Sequence, residues 1–259
     1  MKHVLLSNDD GIDAYGINLV ADILSERDDM RVTVVAPTEQ QSASSHSLTL
    51  RVPLRVVEYG DGRYGVTGTP TDCVLVAVEH ILKDDRPDLV ISGVNHGANM
   101  GEDVTYSGTV AAALEGAIIG LPSYALSCTS WQPRDWGAVE SFLREKLDDL
   151  LAVPLERHSL LNVNIPDIAA DEVKGVRTVP LGSRRYTDAS TEQFDPRGRP
   201  YLWIGGNGPT WDQVPNTDAT LNKQGYVVVT PLKVDLTHHD LLERTRSLDS
   251  DGPFHGVDS

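Results

Sequence analysis

Cysteine is nearly missing from this 259-residue chain: Cys73 and Cys128 stand in separate apolar segments, with no Cys-x-x-Cys spacing and no histidine cluster nearby. That excludes a disulfide framework and a thiolate zinc site, and leaves two buried free thiols. Lysine is scarce as well. Six lysines and 16 arginines face 26 aspartates and 12 glutamates, for a net charge of −16. Such a field repels a nucleic-acid backbone, which argues against a polymer-binding role. It repels a small anionic substrate too, so any phosphate chemistry needs a metal ion and local donors to reverse the sign of the potential inside the pocket. An Asp-rich, Lys-poor surface is the composition expected of a protein from a high-salt cytoplasm, where salt screens the self-repulsion. Long apolar runs are also lacking. Val74 to Val78 is among the longest, far too short to cross a bilayer, and Met1-Lys2-His3 leads into a strand without a signal-peptide pattern. The expectation is a cytoplasmic protein with no membrane partner.

What the sequence does contain is a strand that delivers acid to a loop. His3-Val4-Leu5-Leu6 is a short apolar run, followed by Ser7-Asn8-Asp9-Asp10-Gly11. Adjacent strand residues point to opposite faces, so Asp9 and Asp10 converge on one target only if the backbone leaves strand geometry there, which Gly11 permits. Apolar residues at helical spacing over Gly16–Ser25 predict a first crossover helix, and Arg31–Ala36 a second strand stopped by Pro37. Residues 38–45 form a polar loop, and residues 48–66 read as a hairpin excursion. Thr69-Pro70-Thr71-Asp72 is a helix start with its cap, its proline and its acid in place, leading into a helix over Cys73–Lys83. Asp88–Ser92 is a third buried strand, ending in a glycine- and asparagine-rich loop, Gly93–Gly101. Ser107 caps a helix over Val110–Ile119. A strand at Ser123–Ser127, a helix over Asp135–Leu151 and a strand at Leu160–Ile165 continue the alternation. The fold class expected is α/β: a doubly wound, mostly parallel, Rossmann-like sheet in residues 1–175. Turn signals from Val176 onward predict a hairpin-rich C-terminal region, 176–259, with a strand at Tyr226–Pro231, a short helix at Asp240–Leu248 and a disordered tail from Asp249. That region is expected to serve oligomerisation.

In an open α/β sheet, ligands bind beyond the carboxyl ends of the strands. The loops after Asp10, Ser42, Asn95 and Ser107 converge there by topology. Two carboxylates, a hydroxyl and an amide are hard oxygen ligands, suited to magnesium, manganese or calcium rather than zinc. Ser107-Gly108-Thr109 at a helix start offers N–H groups, hydroxyls and a positive dipole end, an anion site. Asn99, in the glycine-rich loop, is a further candidate contact to phosphate, and His96 a weaker one. A metal beside a phosphate cradle implies phosphoryl chemistry. Other residues have blander explanations. Ser45-His46 are adjacent and lack an oxyanion motif, Arg184-Arg185 is a solvated pair, and His238-His239 lacks a third ligand. An Asp-x-Asp motif, the usual mark of a metal-dependent glycosyltransferase, does not occur in the Asp9-Asp10 loop.

Five motifs in order, Ser7–Gly11, Ala36-Pro37 with Gln41–Ser44, Gly68–Cys73, Ser92–Gly101 and Tyr106–Val110, are similar to the signatures of the SurE (survival protein E) family, and Gly225–Pro231 resembles its C-terminal strand. The resemblance implies a divalent-metal-dependent nucleotidase acting on nucleoside 5′-monophosphates, with 3′-monophosphates and polyphosphate as further substrates. It implies one magnesium or manganese ion per subunit on Asp9, Asp10, Ser42 and Asn95, a cytoplasmic location, and a homodimer or homotetramer. With Asp9 and Asp10 as the catalytic carboxylates, the expected route is direct attack by a metal-bound water without a phosphoenzyme. A non-catalytic nucleotide sensor is the competing expectation, and the intact ligand set favours the enzyme.

Overall fold

The structure, a computed structural model, describes residues 1–185, 190–204 and 210–249. Its elements alternate as β1 (Lys2–Ser7), α1 (Tyr15–Ser25), β2 (Met30–Pro37), β3 (Val56–Gly60), β4 (Arg63–Val66), α2 (Pro70–Val76), β5 (Leu89–His96), α3 (Gly108–Ile118), β6 (Ser123–Cys128), α4 (Gly137–Glu145), α5 (Leu147–Leu151) and β7 (Ser159–Ile165). There follow β8 (Val176–Thr178), β9 (Arg184–Arg185), β10 (Ser190–Phe194), β11 (Pro200–Ile204), β12 (Thr210–Trp211), α6 (Asp218–Lys223), β13 (Val227–Lys233) and α7 (His239–Thr245). Nine strands form one sheet in the order β3-β4-β2-β1-β5-β6-β7-β13-β8. Neighbours from β4 to β7 pair in parallel, while β3 and β13 run antiparallel to β4 and β7.

Strand β1 shows why the sheet sits where it does. Successive side chains go to opposite layers: Val4 and Leu6 join the core under α1 and α4, whereas Leu5 joins the one under α2. With both faces covered, the middle of the strand, Val4-Leu5-Leu6, is a continuous buried apolar run, as in most parallel strands. On α1, Ile17, Val20, Ala21 and Leu24 recur at helical spacing and are all buried. Helix α3 presents Val110, Ala113 and Ala117 to Ala125 and Leu160 on the opposite face.

From β1 the chain winds outward through β2 to β4 and then crosses back through α2 to β5, on the other side of β1. The strand order therefore reverses between β1 and β5, and the crevice beyond their carboxyl ends is the topological switch point of the sheet.

Several boundaries differ from the sequence expectation. Strand β5 runs on through Gly93–His96, because Asn95 and His96 still pair with Ser127 and Cys128 across an irregularity after Ser92. The expected hairpin over 48–66 begins its first strand only at Val56. The helix from Pro70 loosens into a π turn over Ala77–Ile81. The helix expected over Asp135–Leu151 breaks at Lys146, whose φ of −121° leaves helical space while Leu147 and Leu150 still reach the core. In the C-terminal region, β8 and β13 join the main sheet, and the separate hairpins lie between residues 184 and 211. The 205–209 turn and the tail beyond Asp249 lie outside the described residues. Both cysteines are buried and free.

Candidate metal and phosphate site

The loop after β1 is closed by a side-chain clamp. Asn8 donates from Nδ2 to the Gly11 carbonyl at 2.8 Å and accepts the Gly11 N–H on Oδ1 at 3.2 Å, while Gly11 itself turns at φ +101°. This clamp takes Asp9 and Asp10 out of strand geometry. Asp9 is almost fully buried, and its Oδ1 accepts a hydrogen bond from the Thr109 hydroxyl on α3. Asp10 Oδ2 accepts the backbone N–H of His96, at the end of β5, at 3.0 Å. The two acids are therefore held by the start of α3 and the end of β5.

The other loops close around them. The Gln41 N–H donates to the Asp9 carbonyl at 2.7 Å, which ties the loop after β2 to the acidic turn. Ser42 is exposed there, its hydroxyl accepting from Gln40 Nε2 at 3.0 Å. Asn95 is buried and gives its amide nitrogen to the Gly97 carbonyl at 2.8 Å, which fixes the orientation of the amide. Helix α3 closes in because residue 108 is glycine: a Cβ there would stand 2.7 Å from Asp9 Cβ and 2.9 Å from Ser44 Oγ.

Ser107 is the helix cap that the sequence predicts, whereas Thr109 takes a partner that the sequence does not indicate. The Thr109 hydroxyl orients Asp9, and Ser107 Oγ caps the helix by accepting the Val110 N–H at 3.0 Å. Any contact they make to phosphate falls to the backbone, where the Gly108 and Thr109 N–H groups lie in the first turn of α3 without an intrahelical acceptor.

Asn99 is pinned rather than free. Its N–H and amide nitrogen donate to Asn164 Oδ1 and Ser127 Oγ, each at 2.8 Å, and its carbonyl accepts from Asn162 and Asn164 at 2.8 and 2.9 Å. Sequence reasoning missed this network. The signal was there: two asparagines two residues apart in the apolar run Leu160–Ile165 point the same way and must find buried partners. It also missed Asp218, fully buried at the start of α6. Its oxygens accept the N–H groups of Gly101 at 2.9 Å and of Gly182 and Ala219 at 2.6 Å, so it staples the β5–α3 loop to the C-terminal region.

The blander readings hold for several residues. Ser45 Oγ donates to the Thr105 carbonyl and His46 pairs with Glu115 at 2.8 Å, so they do not form a nucleophile and base. Thr69 and Asp72 form a capping box. His238 caps α7 and His239 pairs with Asp235. Arg184 is not a solvated residue: it pairs with Asp103. The His96 ring rests against Trp136, centroids 5.2 Å apart, and its Nε2 is buried without a hydrogen-bond partner.

The electrostatics ask for a cation. Burial pushes the Asp9 carboxyl up to about 6 against the Thr109 hydrogen bond, and the Asp10 charge pushes the same way. Asp10 is also raised, chiefly by burial. Ser44 Oγ is buried beside Asp9 and Gly108 with no hydrogen-bond partner. Among the described residues no group of three or more His, Cys, Asp or Glu side chains is placed to hold a metal. A cation here must therefore complete its shell with neutral oxygens, which suits Asp9, Asp10, Ser42 and Asn95 and a hard divalent ion.

A doubly wound sheet with an acidic pair, an amide and a helix N-terminus at its switch point defines the class: an α/β protein whose candidate ligand site lies in the crevice beyond the strand ends. Residues 4–188 match the model of the family described as survival protein SurE. The chain is 49% identical over 242 residues to the 5′-nucleotidase SurE of Paramagnetospirillum magneticum, covering 92% of each chain. It is 45% identical over 246 residues to that of Vibrio cholerae serotype O1, covering 95% of this chain and 96% of the relative. The crystal structure of the SurE protein from Aquifex aeolicus superposes with a TM-score of 0.81 at 37% identity, over 95% of this chain and 99% of that one. The chain belongs to the SurE family.

Proposed function

We propose that this protein is a divalent-metal-dependent 5′-nucleotidase that hydrolyses nucleoside monophosphates to nucleoside and inorganic phosphate. The observation that carries this is the meeting of Asp9, Asp10 and Asn95 with the N-terminus of α3 at the β1–β5 switch point, in a chain nearly half identical to proteins named 5′-nucleotidase SurE. Asp9, Asp10, Ser42 and Asn95 would hold one magnesium or manganese ion. Such an ion neutralises charge on the phosphoryl oxygens and acidifies coordinated water. The chain's own groups do the rest. The first-turn N–H groups of α3 receive phosphoryl oxygens, Thr109 keeps Asp9 aimed, and the Asn99 network holds the glycine-rich loop still.

Neither the Ser45–His46 pair nor Asp9 is poised as a nucleophile. Ser45 and His46 are engaged elsewhere, and Asp9 Oδ1 is taken by Thr109. Single displacement by water follows, with inversion at phosphorus. Assembly as a homodimer or homotetramer through the C-terminal region and a cytoplasmic location belong to the same reading. The assembly is supported by the exposed Phe194, Tyr201, Leu202, Trp203 and Ile204 on β10 and β11. The test is phosphate release from a panel of nucleoside 5′- and 3′-monophosphates after chelation and after adding back manganese or magnesium. Metal-dependent release is the expected result, and a metal-independent or absent signal would overturn the reading.

A further inference from the structure

The serine-rich loop after β2 is tied down on both sides of one residue. The Ser44 N–H donates to the Gln41 carbonyl at 3.2 Å, and the Ser44 carbonyl accepts the Ser47 hydroxyl at 2.8 Å. Ser45 gives its N–H to the Tyr106 carbonyl at 3.0 Å and its hydroxyl to that of Thr105 at 2.7 Å, while His46 reaches Glu115 on α3. These contacts hold Ala43 and Ser45 in the left-handed region, at φ +58° and +55°. Non-glycine residues persist there only where the surroundings over-determine them, and such positions cluster at ligand clamps. Ser44 stands between the two. Its Oγ is buried and has no hydrogen-bond partner, although a buried hydroxyl left alone is destabilising.

That hydroxyl lies against the start of α3. Ser44 Oγ is 2.9 Å, and Asp9 Oδ2 3.0 Å, from the point that a Cβ on Gly108 would occupy, so serine and acid flank the first residue of the helix together. Of the hydroxyls gathered here, that of Ser107 is taken up in accepting the Val110 N–H and that of Thr109 in donating to Asp9. The Ser44 hydroxyl is left to donate elsewhere. The N–H groups of Gly108 and Thr109, in the same first turn, are open to an anion as well. We propose that Ser44 is a further catalytic residue, whose hydroxyl donates to a phosphoryl oxygen of the substrate at the N-terminus of α3. A neutral donor suits a place beside Asp9, because it adds a bond to the anion without competing with a cation for the carboxylate. The assignment rests on the nucleotidase reading.

The test compares wild type with Ser44→Ala, which removes the hydroxyl and keeps the Cβ that the loop packs around. The melting temperature of the variant, free of metal and phosphate, is expected to match or exceed wild type, because the lost group has no partner to leave behind. Manganese affinity, read by titration calorimetry, stays at the wild-type value. The affinity of the manganese-loaded protein for inorganic phosphate, and kcat/KM for a nucleoside 5′-monophosphate, each fall about tenfold. In wild-type crystals soaked with manganese and phosphate, Ser44 Oγ should lie within hydrogen-bond distance of a phosphate oxygen. Unchanged phosphate affinity in Ser44→Ala, a loss that falls on manganese instead, or a bound phosphate that Ser44 does not touch overturns the assignment. So does a clear fall in melting temperature, the mark of a structural hydroxyl. Phosphate binding is read without turnover, so these outcomes judge Ser44 separately from a wild type that hydrolyses no nucleotide, which overturns the nucleotidase reading.

Discussion

Asp9 is where the energetics of the site are concentrated. Its carboxyl is buried, beside a second acid, and is kept in register by one hydroxyl. Thr109→Val preserves volume and removes that donor. A lost hydrogen bond to a charged group costs roughly 1.5–3 kcal/mol, so manganese affinity should fall by a corresponding factor while the fold survives. Titration calorimetry of the variant checks this, and unchanged affinity would show that Thr109 does not aim Asp9. The pH dependence follows from the same residue. Its pKa in the metal-free fold, about 6, lies above the ordinary carboxylate value, so its protonated form favours folding. That contribution is fully present below the unfolded pKa, near 4, and is lost as pH rises through about 6. The melting temperature of the metal-free protein should therefore receive a falling contribution from Asp9 over that window, which Asp9→Asn removes. Metal binding must displace the proton, so manganese affinity should rise across the window by up to about tenfold per pH unit and level off above it.

At the scale of elements, Gly108 sets how closely α3 approaches the acidic loop. Alanine is the better helix former by roughly 0.5–1 kcal/mol, but its methyl would press on Asp9 and Ser44. Gly108→Ala should therefore lower the melting temperature, because the overlap with Asp9 Cβ outweighs the propensity gain, and turnover should drop on the order of 100-fold, as expected when reacting groups are displaced by about 1 Å. Thermal melts and steady-state kinetics on one preparation check both halves. Local chemistry made such features legible in the sequence. Ser107, Thr69 and Gly11 announce caps and a turn through short-range rules, and the first strand and its acids were plain from residues 3–11. Strand β5 was not, because Gly93 and Asn95 read by composition as loop, whereas pairing with β6 extends the strand to His96. The partner of Thr109 was hidden for another reason: it lies 100 positions away, and only the switch-point topology brings the two together.

For the molecule as a whole, the acid excess is the dominant fact. A net charge of −16 stores self-repulsion that added salt screens. The melting temperature should rise from low to molar KCl, and a steady fall would remove the high-salt reading of the composition. The same excess engages several arginines locally: Arg27, Arg31, Arg144 and Arg184 each pair with a carboxylate.

Asp218 has a bearing on where the working unit ends. The stretch that matches the family model stops at residue 188 and contains every side chain proposed to touch metal or phosphate. Yet the backbone of Gly101, at the far end of the glycine-rich loop, is anchored by a carboxylate 117 positions further along the chain. A fragment cut after the matched stretch would carry a complete parts list and an untethered loop. The catalytic domain, in this sense, is not the segment that holds its reagents, because the rigidity of that segment is supplied from outside it.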